Sequence, residues 1–404
     1  MKIAIFTDTY TPQVNGVVTY LEDSVNVLSK KNQIVIFAPG EGHYRAEKRS
    51  PNVTVHWIPS VPFPLYEGYR MSSVNYHRIS RLLRKENPDI VHAHAPVILG
   101  LEGIIAAKHA HLPIVITYHT HFPDYVFSIM KGKLPSIFGR ISAYTVKKMI
   151  KHVFKMADIV TAPTQELVAE LSSYGLDNVV LMPNGIDFSK FDRKEKAGAI
   201  SFRKRHNLMK RTVLLYAGRV SFEKKVDTLL EAFSIVEDKF PSSFLVIVGS
   251  GPHLHTLKTM AHDLRLKNVA FTGFVDQKIL GDAYRSADIF VSASDTETFG
   301  LTFIEAMHQG VPAIGVNRLG AKDVIDDGVC GLLAEPGAAA SLAIAIERLL
   351  GSKSMRTQMG RMAKRKAARF TIDKVARKTV LIYGQAIAKH RRKEKVRRKV
   401  ARSI

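Results

Sequence analysis

Two carboxylates, Glu297 and Glu305, stand out in the stretch Asp295-Thr-Glu-Thr-Phe-Gly-Leu-Thr-Phe-Ile-Glu305-Ala, where they flank Phe299-Gly300-Leu301. The apolar segment Ala287–Val291 before them reads as a strand. After them, Phe303, Ile304, Met307 and Val311 recur at roughly helical spacing until Gly310 and Pro312 end the pattern. The stretch is thus expected to be strand, loop and helix start, with Glu297 in the loop and Glu305 about two turns down the helix. The N–H groups of Phe299, Gly300 and Leu301 would then be first-turn donors. Backed by the helix dipole they attract an anion, and Gly300 lets a phosphate come close. Carboxylates on both sides of a phosphate cradle suit hydroxyls on both sides of a diphosphate, as in a nucleotide sugar. A capped amphipathic helix with one solvated Glu explains this window equally well.

Other polar groups gather where apolar runs end. Gly218-Arg219 follows Thr212–Ala217, and Lys224 stands at the expected start of the next helix. An Arg fork and a Lys point charge at the end of a parallel strand can hold phosphates; Glu223 beside Lys224 also fits plain surface ion pairing. Gly249-Ser-Gly251-Pro252 is a second glycine-rich turn after an apolar run, and Gly16 follows the first run, Lys2–Phe6. Gly16 could bring backbone close to a ligand, although the turn lacks the dinucleotide fingerprint G-x-G-x-x-G. His119, just past Ile114–Thr117, is the best-placed imidazole for a sugar hydroxyl or a reacting group, against the plainer role of a satisfied core histidine. The pairs His92/His94 and His119/His121, with Asp295-Thr-Glu297, raise the rival of a metal-dependent hydrolase, since i, i+2 side chains on a strand face one way. That rival needs a single barrel of eight units, which the division of the chain described next opposes.

The elements that must position these groups alternate along the chain. Apolar runs at Lys2–Phe6, Gln33–Ala38, Val53–Ile58, Ile90-Val91, Ile114–Thr117, Asp158–Ala162 and Asn178–Met182 are separated by helical patterns, which argues for a parallel sheet covered on both faces. Pro183–Asp187 and the polar stretch Ser189–Arg205 read as a link, after which the alternation restarts at Thr212. The expected fold class is α/β, with Rossmann-like domains over 1–187 and 188–370 and a C-terminal helix with a basic tail over 371–404. The tail after about Lys389 is expected to be mobile. The chain of 404 residues, 46% apolar and 24% charged, has the composition of a globular protein. Its one cysteine, Cys330, excludes an internal disulfide and suits a reducing cytosol. No window offers a membrane span or a signal peptide, so a soluble or peripheral protein is expected. The net charge of +23 calls for a polyanionic partner: nucleic acid, an anionic membrane or acidic ligands.

Taken together, Glu297-x7-Glu305, Gly218-Arg219-x4-Lys224 and the Gly-Ser-Gly-Pro turn between them resemble the retaining glycosyltransferases of family 4, over nearly the whole chain. The resemblance implies the GT-B fold: two facing Rossmann-like domains with a cleft between them and a C-terminal helix crossing back to the first. It further implies that Arg219 and Lys224 neutralise the donor diphosphate, that Glu297 contacts the donor sugar, and that the amides of Phe299–Leu301 contact phosphate and sugar. Glu305 would bind ribose hydroxyls, Asn15, Gly16 and Val17 would cover the diphosphate, Gly249 and Gly251 would line the nucleotide site, and His119 would stand by the sugar. Transfer would be front-face and would require neither a cofactor nor a metal. Lys225 departs from the family pattern, where Gly often follows the Lys, as does the single glycine at Asn15-Gly16-Val17.

For the acceptor, Phe122–Lys131 and the stripe of Ile137, Ile141, Tyr144 and Lys148, with Arg140, Lys147, Lys151 and Lys155 on another face, suit an anionic membrane surface. Tyr118-His-Thr-His-Phe-Pro-Asp-Tyr125 looks most like members that glycosylate lipids such as diacylglycerol or phosphatidylinositol. The expectation is therefore a cytoplasmic, peripheral hexosyltransferase using UDP-glucose or GDP-mannose, with a soluble or polysaccharide acceptor as the alternative. A nucleic-acid-binding protein is the non-enzyme rival; it would explain the tail but not the two motifs.

Overall fold

The computed structural model describes residues 1–63, 70–119, 136–191 and 197–402, the side chains of 136–144 and 401–402 excepted. Phe122–Lys131, His121 and the side chains of Ile137, Arg140, Ile141 and Tyr144 therefore lie outside the described residues. The chain divides into two compact units, Met1–Gly185 with Ile372–Ile404, and Ile186–Thr371.

The first unit is built on β1 (Lys2–Thr7), β2 (Gln33–Gly40), β3 (Arg45–Ser50), β4 (Val53–Pro62), β5 (Arg70–Ser72), β6 (Ile90–His94), β7 (Ile114–Thr117), β8 (Ile159–Ala162) and β9 (Val179–Leu181). Their order is β3-β4-β2-β1-β6-β7-β8-β9, with β5 also on β4. All pairings are parallel except those of β3 and β5 with β4. The inner strands β6, β7 and β8 are buried at every position, so they show no polar/apolar alternation, and β6 buries His92 and His94 with its apolar residues. The second unit has β10 (Thr212–Ala217), β11 (Ser243–Val248), β12 (Val269–Gly273), β13 (Ile289–Val291), β14 (Ala313–Val316) and β15 (Gly331–Ala334), parallel throughout in the order β12-β11-β10-β13-β14-β15. In each sheet the chain works outward from its first strand and then reverses to that strand's other side. The reversals lie between β1 and β6 and between β10 and β13. At such a reversal the flanking connections leave in opposite directions and open a crevice at the carboxyl ends of the strands.

The α/β class and the two Rossmann-like sheets hold, and several local expectations change. The polar stretch Ser189–Arg205 is not a link: Phe188–Lys190 forms a 3-10 turn and Ala197–Arg205 a helix of the second unit, where Phe202 is buried. The division falls at Gly185/Ile186 and Thr371/Ile372, against the 187/188 and 370/371 read from the sequence. The basic tail is helical, because the helix Ile372–Arg402 runs on without a break. Ile372, Val375, Ala376, Ile382, Tyr383 and Ala386 are buried along it, a spacing of three and four that lays one stripe on the first unit. Further along, Asp158, which is 3% exposed, lies 3.0 Å from His390 Nδ1 and 3.0 Å from Lys393 Nζ.

Candidate functional site

In the second unit the residues singled out by spacing converge on the reversal point. Gly218 and Arg219 leave the carboxyl end of β10, and Ser292–Gly300 leave that of β13. Phe222–Lys224 makes a 3-10 turn rather than the start of the next helix, which begins at Val226. Lys225 between them has φ +52°, in the left-handed region that glycine adopts without strain, which gives a physical reason for glycine in that place. The turn carries Lys224 across to β13's loop, where Lys224 Nζ lies 2.6 Å from Glu297 Oε1. The two side chains are 23% and 20% exposed, so the pair is reachable from solvent. Tyr216, buried in β10, donates its hydroxyl to the Arg219 carbonyl at 2.9 Å and holds the turn from below. Burial, with the charges of Glu297 and Glu223, pushes that phenol well up.

The helix Leu301–His308 begins after Gly300, which has φ +81° and stands at the N-cap with no side-chain cap. Glu305 is therefore one turn into the helix rather than two, and Phe299 precedes it. Glu305 is 7% exposed and accepts a hydrogen bond from the Tyr284 hydroxyl at 2.7 Å. The Glu297 loop is closed from behind by Gly320, whose N–H donates to the Glu297 carbonyl at 2.6 Å. A Cβ on Gly320 would stand 2.6 Å from that same oxygen. Gly249 and Gly251 have a backbone reason as well. A Cβ would meet the Gly218 carbonyl oxygen at 1.8 Å in one case and that of Val220 at 2.2 Å in the other. They let the loop after β11 press against the loop after β10.

In the first unit the loop after β1 ends at Asn15, and Gly16 and Val17 form the first turn of the next helix rather than part of the loop expected from the sequence. Asn15 caps the helix Gly16–Leu28, its side chain accepting from the Val18 N–H at 3.0 Å; Asn15 and Gly16 are exposed and Val17 is half-buried. His119, beyond β7, is 4% exposed and shares a 2.8 Å hydrogen bond between its Nε2 and His94 Nδ1. His92 is held by Tyr383 at 2.7 Å and by Thr117 at 2.6 Å. The His92 and His94 rings are 3.9 Å apart, so the i, i+2 pair does share a face, and that face is packed with hydrogen-bonding partners. Among the described residues no three His, Cys, Asp or Glu side chains stand as a metal-binding group. Burial holds both His92 and His119 down to about 3.

Comparing the two reversal points separates their chemistry. The helix Leu99–His109 follows β6 as Leu301–His308 follows β13. Its start is already occupied: the Asp8 carboxylate accepts the N–H groups of Val97, Ile98, Leu99 and Gly100 at 2.7–3.0 Å. The helix Leu301–His308 instead starts at a glycine, which has no side chain of its own to cap it, and Lys224 stands beside its loop. Spacing alone missed Tyr216, Tyr284, Gly320 and Asp8. Only the glycine had a visible signal, as a turn residue just past an apolar run.

Sequence and fold comparisons place the chain among known proteins. The family described as "Glycosyltransferase Family 4" matches residues 14–190, and that described as "Glycosyl transferases group 1" matches 199–366. The alpha-monoglucosyldiacylglycerol synthase of Streptococcus pneumoniae is 31% identical over 82% of this chain and 75% of its own length. A GDP-mannose-dependent alpha-mannosyltransferase of Mycobacterium tuberculosis is 29% identical over 83% and 84%. Among solved structures, Anabaena Alr3699/HepE in complex with UDP and glucose superposes with a TM-score of 0.74 at 18% identity, over 95% of this chain and 99% of that one. Sucrose-phosphate synthase from Thermosynechococcus elongatus gives 0.77 at 19% identity, over 96% and 99%. With these family matches and two parallel-sheet units of the GT-B kind, the chain belongs to the family 4 glycosyltransferases and is a hexosyltransferase.

Proposed function

We propose that the protein transfers a hexose, with retention, from UDP-glucose or GDP-mannose to a membrane lipid such as diacylglycerol, forming an α-glycoside. The observation that carries the donor side is the Lys224–Glu297 pair at 2.6 Å beside the helix start at Gly300. On donor binding, the diphosphate takes Glu297's place as partner of Lys224, and the released carboxylate accepts hydroxyls of the sugar. Arg219 and the amides of Phe299–Leu301 share the phosphate charge, Gly249 and Gly251 border the nucleotide, and Glu305 accepts from the ribose. These fixed donors stabilise the charge that builds on the leaving diphosphate, and a donor phosphate oxygen helps deprotonate the acceptor. In this scheme the protein supplies the neutralising charge itself, with neither cofactor nor metal assigned a step. His119, Asn15, Gly16 and Val17 are assigned to the first unit's share of the sugar and acceptor chemistry.

The lipid acceptor is supported by the names of the relatives and by charge. Lys147, Lys148 and Lys155, on and just past the helix Ser136–Phe154, are exposed, as are Arg391, Arg392, Lys395, Arg398 and Lys399 on the last helix. Within the net charge of +23, such groups suit the anionic inner leaflet of a cell membrane, where a peripheral enzyme would meet its acceptor. Among the described residues no helix is long and apolar enough to cross a membrane.

The test is incorporation of label from radiolabelled UDP-glucose or GDP-mannose into vesicles containing diacylglycerol or phosphatidylinositol, with wild type beside Glu297→Ala. Label should enter the organic phase with one donor and fall by about two to three orders of magnitude in the variant. Slow hydrolysis of a donor without lipid labelling would sink the lipid acceptor and leave the donor site standing.

A further inference from the structure

We infer that Tyr284 is a positioning residue for the donor nucleotide, acting through Glu305; the inference rests on the assignment of Glu305 to the ribose. Tyr284 lies on the helix Gln277–Ser286 and is fully buried. Its ring is wedged between Phe191 and Phe290, with centroids 6.0 Å away on each side. The ring therefore has one place to be, and its hydroxyl points at Glu305 Oε2, 2.7 Å away.

That bond matters because the terminal torsion of a glutamate is soft and roughly two-fold. A ribose offers two neighbouring O–H donors, which a carboxylate accepts together only in one rotation of its plane. A phenol locked by packing and bonded to one carboxylate oxygen sets that plane before the nucleotide arrives, so the ordering cost is met in folding rather than in binding. Tyr216 plays the matching part under Arg219, at 2.9 Å. The two buried phenols thus hold the phosphate turn and the ribose carboxylate from beneath.

A plainer role is that Glu305 merely satisfies a buried hydroxyl. The two roles differ in what they leave unchanged. If the bond were only structural, Tyr284→Phe would lower stability and leave recognition of the ribose 2′-hydroxyl as it was. The experiment is calorimetric binding of UDP and GDP, each against its 2′-deoxy form, to wild type, Tyr284→Phe and Glu305→Ala, with thermal melts of all three. Wild type should favour the ribonucleotide by about tenfold, the size of one hydrogen bond to a charged group. Tyr284→Phe keeps the ring and should fold. Its preference should shrink at least threefold, with a raised KM for the donor and kcat at saturating donor within twofold. An undiminished preference in Tyr284→Phe, with the preference lost in Glu305→Ala, would overturn the role of Tyr284. A preference that survives Glu305→Ala would overturn the ribose assignment beneath it. Failure of both nucleotides to bind wild type would overturn the donor site itself.

Discussion

His92, His94 and His119 are buried imidazoles whose surroundings, above all their lack of water, hold them neutral. His92 and His119 are pushed down to about 3 from an ordinary 6.5, and His94 and His56 are lowered too. A group with a depressed folded pKa takes up its proton on unfolding, so stability is greatest above 6.5 and falls as pH drops from there toward 3. Glu86, lowered by Lys2 and His56, acts in the same sense, while Asp8 and Glu102, raised by burial, oppose it. With four histidines in the majority, the first unit's denaturant midpoint should be flat above pH 7 and fall between pH 6.5 and 5. Each histidine contributes up to about 1.4 kcal/mol per pH unit. A midpoint unchanged across that range would show that these rings are not held neutral. Lys224 and Glu297, which the fold brings together, stood out in the sequence because charged residues just past apolar runs have few structural reasons to be there. Tyr284 did not, since a tyrosine in a core helix looks like packing and its partner is set only by the tertiary fold. Asp8 was silent for the same reason: its four donors lie some ninety positions away.

Helices that follow corresponding strands in the two units have been put to different uses. Asp8 fills the start of Leu99–His109, whereas Leu301–His308 starts at a left-handed glycine with no side-chain cap. Replacing Asp8 by Asn would turn one acceptor oxygen into an NH2 group aimed at backbone donors. The expected loss is about 2–4 kcal/mol of first-unit stability in denaturant titrations, with UDP or GDP affinity within twofold of wild type. Equal stability would mean that the four bonds add nothing. At this scale the sequence patterns captured most strands, because parallel strands buried on both faces are mostly apolar. They did not announce β3, which is charged and lies on an edge, nor β5, β14 and β15. The link was misplaced because Ala197–Arg205 buries only Phe202, and one buried side chain leaves almost no periodic signal.

The whole chain is a first unit interrupted by a second. Ile186 and Thr371 pair side by side, with Ile186 N–H bonded to the Phe370 carbonyl at 2.9 Å, so the second unit begins and ends at one spot. Residues 186–371 made alone should unfold cooperatively in circular dichroism melts and retain binding of UDP or GDP. In residues 1–371 the second unit should still melt and bind, whereas the first unit should show no transition of its own, because it lacks Ile382, Tyr383 and Ala386, which close the core of the first sheet. A second cooperative transition, from the first unit, in the 1–371 fragment would show that this closure is dispensable.

During synthesis the order of completion is then fixed by the covalent chain. The interior unit is wholly outside the ribosome before the outer one has its last helix, and the Tyr383 partner of His92 is among the late arrivals. Through that interval the outer unit waits with one face uncovered, and a chaperone that shields apolar surface would find its opening there. Any stop codon late in the message would therefore strand the outer unit rather than the inner one.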